Sequence, residues 1–419
     1  MWDWRFLGLV AVVIVNTYVV TLLVARSEKN TLRRGILTAG ISLSLGVLGF
    51  FKYFNFFEAS FARLFGDGAL ELAIVLPVGI SFYTFHSISY MVDTFRRRIE
   101  PTRNIGDVAL YILFFPQLVA GPIVRATDLL PQMRSARHVA ADEARFFLVL
   151  FLVGYFKKAV VSDNVARYVD LFFANPGHYT GSDGAIAVVF YAIQIYCDFS
   201  GYTDMAIAAA GLLGYQLRPN FAHPYLASNL IDFWRRWHIS LSSWLRDYLY
   251  IPLGGNHGSF LYQARNILIT MVLGGLWHGA SWTFVAWGAL HGFGLILNRA
   301  YFALVGRADP ERYTLAGNAI TFLWVCFAWI FFRATTFQNA WDVLSSFGAL
   351  SRPTIMAWPS AVATIGGLAV LHVMFYRLDL RQLTRNVHRT VFAAGYGGAM
   401  ALILPLVNVN VRPFIYFQF

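Results

Sequence analysis

FAHPYLASNLIDFWRRWHISLSSWLRDYLYIPLGGN occupies residues 221–256, and LITMVLGGLWHGASW follows at residues 268–282. The two segments place His238 and His278, each directly after a tryptophan, in an otherwise apolar region. Six of the twelve tryptophans of the chain lie between Trp234 and Trp287. Half of the tryptophans therefore surround these two histidines, and the rest of the chain is interpreted from this region outward.

Residues 230–250 are predicted to form one amphipathic helix, because at 100° per residue their large apolar side chains share a face. His238 lies within this face, which comprises Trp234, Trp237, Leu241, Trp244, Leu245 and Tyr248. The opposite face is polar and holds Asp232, Arg235, Arg236, Ser243 and Arg246. An aromatic, arginine-bearing helix of this kind is typical of a membrane surface.

The composition indicates a polytopic membrane protein. The 419 residues are 58% hydrophobic and only 13% charged, whereas soluble domains contain about 25% charged residues. The net charge of +11 is therefore attributed to basic loops that set membrane orientation, and not to nucleic-acid binding. The cysteines, Cys197 and Cys326, form neither a disulfide framework nor a metal-ligand pattern. A single integral membrane domain over residues 1–419 is expected.

The apolar segments predict about ten membrane-spanning helices, with additional re-entrant and amphipathic pieces. FFPQLVAGPIVR, residues 114–125, is predicted to enter the membrane and return on the same side, because prolines and a glycine interrupt it between two basic loops. Residues 181–214 are expected to hold two apolar runs separated by YCDFSGYTDM. The carboxylates of Asp198 and Asp204 in that segment should face protein or water.

His278 is the strongest candidate for chemistry in the residues themselves. A buried imidazole is expected to be neutral and able to accept a proton, although a histidine satisfied by a neighbouring helix is an equal alternative. His238, within an aromatic face, is more often structural. Asp198 is suited to orienting a histidine, pairing with an arginine or lining a polar path, and a hydrogen-bonded clamp between helices is an equal alternative. The glycine-rich LGGNHGS, residues 253–259, is interpreted as a tight loop between helices.

The sequence resembles the membrane-bound O-acyltransferases, in the branch that contains alginate O-acetyltransferase and the D-alanyl transferase of teichoic acid synthesis. The matching segments are FFPQLVAGPIVR, YCDFSGYTDMAIAAAGLLGY, residues 219–256, GGLWHGASWTFVAWGALHG and the terminal PFIYFQF. The sequence of residues 232–255 resembles the alginate acetyltransferase branch more closely than the D-alanyl branch. Members of this branch usually carry an additional apolar segment before the position of WDWRF, where this chain starts.

The resemblance implies an all-helical bundle hollowed from both sides, with His278 and His238 as the catalytic histidines. Trp234, Trp237, Asp198, Tyr250 and Trp277 are then candidate residues of a substrate tunnel. It also implies acetyl-CoA as the donor, no bound cofactor or metal, and a location in the bacterial cytoplasmic (inner) membrane. The acceptor would be an extracytoplasmic polysaccharide, reached directly or through a separate acetyltransferase partner.

Two other functions are compatible with the sequence. A D-alanyl transferase would keep the enzyme and change the acyl group, which a carrier protein would supply. A transporter of lipid-linked sugars would explain the intramembrane aspartates and interrupted helices. It would not explain two histidines next to tryptophans, and the chain lacks the paired, inverted broken helices of many secondary transporters.

Overall fold

The computed structural model describes residues 4–66, 72–118, 121–306, 314–348, 351–408 and 414–415, and these residues form helices and no strands. Contacts divide the chain into two compact units. One comprises Met1–His138 with Gly214–Arg218, and the other comprises Val139–Leu213 with Pro219–Phe419. Most of the terminal PFIYFQF motif, apart from Phe414 and Ile415, lies outside the described residues.

The first unit contains seven helices in its described part. They are α1 (Arg5–Arg26), α2 (Asn30–Leu48), α3 (Phe54–Phe65), α4 (Ile80–Phe95), α5 (Ile105–Leu113), α6 (Phe115–Leu118) and α7 (Ala126–Met133). A π-helical turn, Gly49–Tyr53, joins α2 to α3.

Small polar side chains join three helices of this unit. Thr17 of α1 shares a hydrogen bond of 2.6 Å with Ser87 of α4, and Asn16 donates to Ser44 of α2 over 3.0 Å. Such bonds hold helices together where lipid supplies no hydrophobic drive for association. The predicted interruption of FFPQLVAGPIVR is confirmed, since α5 ends at Leu113 and α6 at Leu118. Its return to the same side of the membrane stays a prediction.

The second unit contains the remaining helices. They are α8 (Ala141–Tyr155), α9 (Asp163–Ala174), α10 (Gly181–Leu212), α11 (Leu230–Arg236), α12 (Ile239–Leu245), α13 (Phe260–His278), α14 (Trp282–Val305), α15 (Leu315–Arg333), α16 (Phe337–Ser346), α17 (Trp358–Arg377), α18 (Leu380–Thr384) and α19 (Arg389–Ile403). A π-helical turn, Phe156–Ser162, joins α8 to α9, and another, Arg246–Tyr250, follows α12.

The all-helical polytopic prediction is confirmed. Six helical stretches in the described ranges are long and apolar enough to cross a membrane, and they are Phe6–Arg26, Asn30–Phe65, Gly181–Leu212, Leu315–Arg333, Trp358–Arg377 and Arg389–Leu406. The interpretation of LGGNHGS as a tight loop is also confirmed. Gly254, Gly255 and Gly258 have φ angles of 112°, 54° and 89° there, which favour glycine because it lacks a Cβ.

The two apolar runs of residues 181–214 and the YCDFSGYTDM segment between them lie in one helix. α10 continues without interruption for 32 residues, through Asp198 and Asp204. Lysines of the adjoining π-helical turn compensate the two carboxylates. Lys157 Nζ lies 2.7 Å from Asp204 Oδ2, and Lys158 Nζ lies 2.7 Å from Asp198 Oδ1. A carboxylate paired in this way can remain within a buried helix.

Lys158 has two partners, because its Nζ also lies 2.7 Å from Asp163 Oδ1. The backbone N–H of Ile415 donates to the other oxygen of Asp198 over 2.9 Å. These groups tie α8, α9, α10 and the end of the described chain together. One lysine therefore supplies the charge on which two nearly buried carboxylates depend.

Lys158→Met is expected to lower the free energy of unfolding by about 3–5 kcal/mol, because it removes the cation between two nearly buried carboxylates. Lys157→Met is the matched control. It removes one ion pair whose side chains are 19% and 20% exposed, so water can solvate Asp204 and the loss should be smaller. Melting temperatures of the purified proteins in detergent test this order, and equal temperatures for the two variants would contradict it.

Candidate active site

The helix predicted over residues 230–250 is broken at His238, and that prediction is wrong. α11 ends at Arg236, Trp237 is extended, and His238 has φ 42° and ψ 55° before α12 begins at Ile239. This left-handed conformation is uncommon for residues other than glycine and costs about 1–3 kcal/mol.

Hydrogen bonds from the preceding segment cause the break. The N–H of Ile239 donates to the carbonyl of Asn220 over 2.8 Å, and the N–H of Ala222 donates to the carbonyl of Arg236 over 3.0 Å. These contacts occupy backbone groups on both sides of His238 that a continuous helix would pair internally. The segment around Asn220 thereby turns the chain and directs the His238 ring into the protein interior.

The His238 side chain is fully buried. Its Nδ1 lies 3.2 Å from Oδ1 of Asn220. The ring of Phe199 meets the imidazole edge to face, with 4.6 Å between the ring centroids and 88° between the planes. The ring centroid of Phe221 lies 6.4 Å from that of His238. One hydrogen bond and these aromatic contacts, together with Trp277 at 6.1 Å between centroids, therefore fix the position of this imidazole.

His278 is the last residue of α13, and Gly279 leaves the helix in an extended conformation. The side chain of Ser281 then caps α14 by accepting a hydrogen bond from the N–H of Thr283. The His278 side chain is nearly buried, with 4% exposure. Two aromatic rings of other helices contact it edge-on, Trp287 of α14 at 5.0 Å and Phe332 of α15 at 5.2 Å between centroids.

Trp277 brings the two histidines together. Its ring centroid lies 6.1 Å from that of His238 and 5.1 Å from that of His278. The structure therefore places the two predicted catalytic side chains on one tryptophan, although 40 positions of sequence separate them. The aromatic surroundings exclude water. Hydrogen bonds and electrostatic interactions that form there during a reaction are therefore stronger than in water.

A basic cavity of about 430 Å³ lies beside this cluster. Arg235, Arg246, Arg299, Tyr250 and Asn256 supply most of its polar lining, and Trp234 forms part of its apolar wall. Arg299 donates to the hydroxyl of Tyr250 over 3.1 Å, and that hydroxyl donates to Oδ1 of Asn256 over 2.6 Å. Arg246 is paired with the carboxylate of Asp247 at 2.7 Å, and Arg235 and Arg299 are the guanidinium groups of this concave site that favour an anionic ligand such as a phosphate.

Two aromatic contacts connect the basic cavity with His278. The rings of Trp234 and Trp287 lie 5.9 Å apart, and Trp287 contacts His278 directly. A ligand whose anionic part occupied the cavity would therefore have its other end within reach of the histidine cluster.

A family model supplies the decisive comparison. The model for the membrane-bound O-acyltransferase (MBOAT) family matches residues 87–341, which include both histidines and all of the residues that line the basic cavity. The chain belongs to the membrane-bound O-acyltransferase family. It is accordingly a membrane O-acyltransferase, and the resemblance noted from the sequence motifs is confirmed.

Individual relatives refine the comparison. A probable alginate O-acetylase of Azotobacter vinelandii is 41% identical, and the alignment covers 100% of this chain and 92% of the relative. A peptidoglycan O-acetyltransferase of Helicobacter pylori is 36% identical, over 84% of this chain and 71% of the relative. A teichoic acid D-alanyltransferase of Streptococcus thermophilus is 25% identical, over 56% and 60%.

The candidate tunnel residues separate into four environments in this acyltransferase. Trp234 and Tyr250 line the basic cavity, and Trp277 lies between the histidines. Trp237 is buried against Trp329, with 5.1 Å between their centroids, and so belongs to the packed wall. Among the described residues, Asp198 contacts Lys158 and Ile415 rather than a histidine. Its neighbour Phe199 is the residue that reaches His238.

Sequence reasoning missed Asn220 and Arg299. Arg299 did carry a signal, because it is the one charged residue of α14 and a charge in an apolar helix suggests function. Asn220 carried none, because its importance depends on hydrogen bonds to residues that are 18 to 20 positions away. Among the described residues, no three His, Cys, Asp or Glu side chains could hold a metal ion, and the expected absence of a metal stays a prediction.

Glycines allow α13 and α14 to approach closely around His278. A Cβ at Gly288 would collide with the carbonyl oxygen of Met271, and one at Gly275 would collide with the carbonyl oxygen of Phe284. Both obstacles are backbone atoms, so a larger residue would have to separate the helices. Since α14 carries Trp287, that separation would also disturb the wall of the site.

Gly288→Ala is therefore expected to lower both the melting temperature and the acyltransferase activity of the membrane protein. Gly366→Ala is the matched control, because Gly366 also lies within a helix and a Cβ there would meet no atom within 4 Å. The control should keep full activity and an equal or higher melting temperature, since alanine favours helix formation over glycine. Equal behaviour of the two variants would contradict the proposed close contact.

Proposed function

We propose that this O-acyltransferase transfers an acetyl group from cytoplasmic acetyl-CoA to a hydroxyl that serves O-acetylation of an extracytoplasmic polysaccharide such as alginate. The basic cavity next to the histidine cluster is the observation that carries the proposal. Coenzyme A presents phosphates at one end and a thioester at the other, which fits arginines at one end of the site and His278 at the other. The full-length similarity to a probable alginate O-acetylase supports the acetyl group and the polymer.

His278 acts as the general base in this proposal. Its neutral imidazole accepts the proton of the acceptor hydroxyl while the oxygen attacks the thioester carbonyl carbon. The new carbon–oxygen bond forms, the carbon–sulfur bond breaks, and the proton passes from the imidazolium to the departing thiolate. The products are an acetyl ester and free coenzyme A. No metal is required, because a thioester is already an activated acyl donor.

The direct acceptor is proposed to be a hydroxyl of a separate extracytoplasmic acetyltransferase partner, which then passes the acetyl group to the polysaccharide. A buried site with nearly no exposed imidazole surface suits a small hydroxyl-bearing side chain better than a bulky polymer. The protein is placed in the bacterial cytoplasmic membrane, because the relatives are bacterial and the donor is made in the cytoplasm.

The second candidate is D-alanyl transfer from a carrier protein. The relative named as a teichoic acid D-alanyltransferase favours it, although at lower identity and coverage. The phosphate of a carrier's pantetheine arm would also suit the arginines, so the basic cavity fits both donors. Identity of the donor is therefore the first property to measure.

His278→Ala is expected to reduce acetyl transfer at least about 100-fold, because general-base catalysis contributes about 10²–10⁴-fold. The measurement uses purified protein in liposomes with acetyl-labelled acetyl-CoA, a hydroxyl acceptor, and D-alanyl carrier protein as the competing donor. His138→Ala is the control, because His138 is an exposed loop residue and should be dispensable. Full activity of the His278 variant would refute the proposed role, and turnover of the D-alanyl donor alone would select the second candidate.

Arg299→Gln is expected to raise the KM for acetyl-CoA about 10- to 100-fold and to change kcat little. The basis is the loss of a charge-assisted hydrogen bond to phosphate, which contributes about 1.5–3 kcal/mol. Arg265→Gln serves as the control, because Arg265 stacks on Tyr262 at 3.9 Å and does not line the cavity.

The same pair of variants should be compared with S-acetylpantetheine, which keeps the thioester and lacks the phosphates. With this donor, the KM of the Arg299→Gln variant should equal the KM of the unsubstituted protein. An equal loss with both donors would show that Arg299 stabilises the site and does not recognise phosphate.

A further inference from the structure

One amide oxygen accepts three hydrogen bonds beside His238. Oδ1 of Asn220 lies 3.0 Å from the backbone N of Ser240, 2.9 Å from Oγ of Ser240 and 3.2 Å from Nδ1 of His238. The backbone N–H of Ser240 can only donate. The Asn220 atom at this position must therefore be the amide oxygen, because an amide nitrogen there would place two donors against each other.

This arrangement determines the tautomer of His238. Because Oδ1 can only accept, Nδ1 of His238 must carry the proton. A neutral imidazole has one N–H, so Nε2 then carries a lone pair. Nε2 is buried, and no described residue forms a hydrogen bond with it. The site thus holds a hydrogen-bond acceptor inside an aromatic cluster, with its orientation fixed from the opposite side of the ring.

The backbone supports the same interpretation. His238 adopts the left-handed conformation, and the segment that imposes it begins with Asn220, whose own carbonyl accepts from Ile239. His223 shares the left-handed backbone and a buried nitrogen without a described partner, and the hydrogen bond from Nδ1 to Oδ1 of Asn220 is what sets His238 apart. Backbone strain and unsatisfied polar groups that persist together are characteristic of functional sites.

We propose that Asn220 is a positioning residue that holds His238 in the Nδ1–H tautomer and so presents Nε2 as a hydrogen-bond acceptor that orients the acceptor substrate through a donor group other than the hydroxyl proton that His278 removes. This inference rests on the proposed acyl transfer. Asn220 does not contact the reacting groups, and it acts through His238. Partners that orient a functional histidine in this manner commonly contribute about 10- to 100-fold to activity when the histidine is a metal ligand, and a similar contribution is expected here.

Asn220→Leu keeps the branched arrangement of the side-chain heavy atoms and removes the acceptor. We expect kcat for acetyl transfer to fall about 10- to 100-fold, with little change in the KM for acetyl-CoA, because the basic cavity is untouched. Asn220→Asp keeps an oxygen that accepts from the same three donors, and should retain activity within about tenfold of the unsubstituted protein. Asn220→Ala removes the acceptor without adding bulk, and it takes the place of the leucine variant if that variant fails to insert.

Asn229→Ala is the matched structural control. Asn229 caps α11 by accepting from the N–H of Asp232, and it has no described contact with His238. Its loss should lower the melting temperature by an amount typical of the removal of a helix-capping residue, while kcat stays unchanged. A fall in kcat in this variant equal to that of Asn220→Leu would show that any disturbance of this segment suffices, and would overturn the proposal.

A double substitution separates positioning from general support. If Asn220 acts through His238, the double variant Asn220→Leu/His238→Ala should have a kcat within about twofold of that of His238→Ala alone. An undiminished 10- to 100-fold loss in that background, or an Asn220→Asp variant as inactive as Asn220→Leu, would overturn the proposal. Failure of the proposed function has a different signature, because the unsubstituted protein would then transfer no acetyl group or would do so without His278.

Discussion

Two backbone hydrogen bonds between residues 220–222 and residues 236–239 determine the arrangement of the site. They end α11 at Arg236, 14 residues before the end of the predicted helix at residue 250, and force His238 into the left-handed region. Without them, residues 230–250 would continue as the surface helix that their periodicity favours. His238 would then share one continuous apolar face with Trp234 and Trp237. With them, Trp237 packs into the wall against Trp329 while His238 meets Trp277. The arrangement of the proposed catalytic site thus depends on a local conflict between helix propensity and tertiary hydrogen bonding, and the tertiary bonds prevail.

The two histidines differ in how far the sequence reveals them. His278 follows two glycines and a tryptophan and precedes another glycine, so the end of α13 and the start of α14 at Trp282 agree with the expected turn around WHG. The break at His238 has no comparable signal, because neither glycine nor proline lies there. Helical periodicity identifies which side chains are apolar, but it cannot register hydrogen bonds from a segment 16 positions earlier. The type of fold and the identity of both histidines were therefore predictable, and the geometry of His238 was not.

Charge placement shows the same distinction. The sequence revealed that Asp198 and Asp204 lie in an apolar segment, and burial physics predicted that they need partners. It did not reveal that consecutive residues, Lys157 and Lys158, supply both partners from a π-helical turn. A π-helical turn inserts one extra residue and changes the direction in which successive side chains point, which a wheel drawn at 100° per residue cannot represent. Helical periodicity therefore could not predict that the side chains of Lys157 and Lys158 would reach Asp204 and Asp198.

The two sides of the site are built from different kinds of interaction, and this difference suits acyl transfer. The basic cavity uses long arginine side chains, which can adjust to a flexible anionic donor. The histidine cluster uses aromatic rings, a strained residue and one amide oxygen, which together leave little freedom. Binding of a donor's distant phosphates can thus supply the free energy that brings the thioester into a rigid, water-poor site. A site of this design requires that the acceptor atom of His238 be directed before the substrate arrives, because a buried imidazole surrounded by aromatic rings has no room to turn. Asn220 meets that requirement from outside the reacting groups, where its own side chain does not compete with donor or acceptor for space.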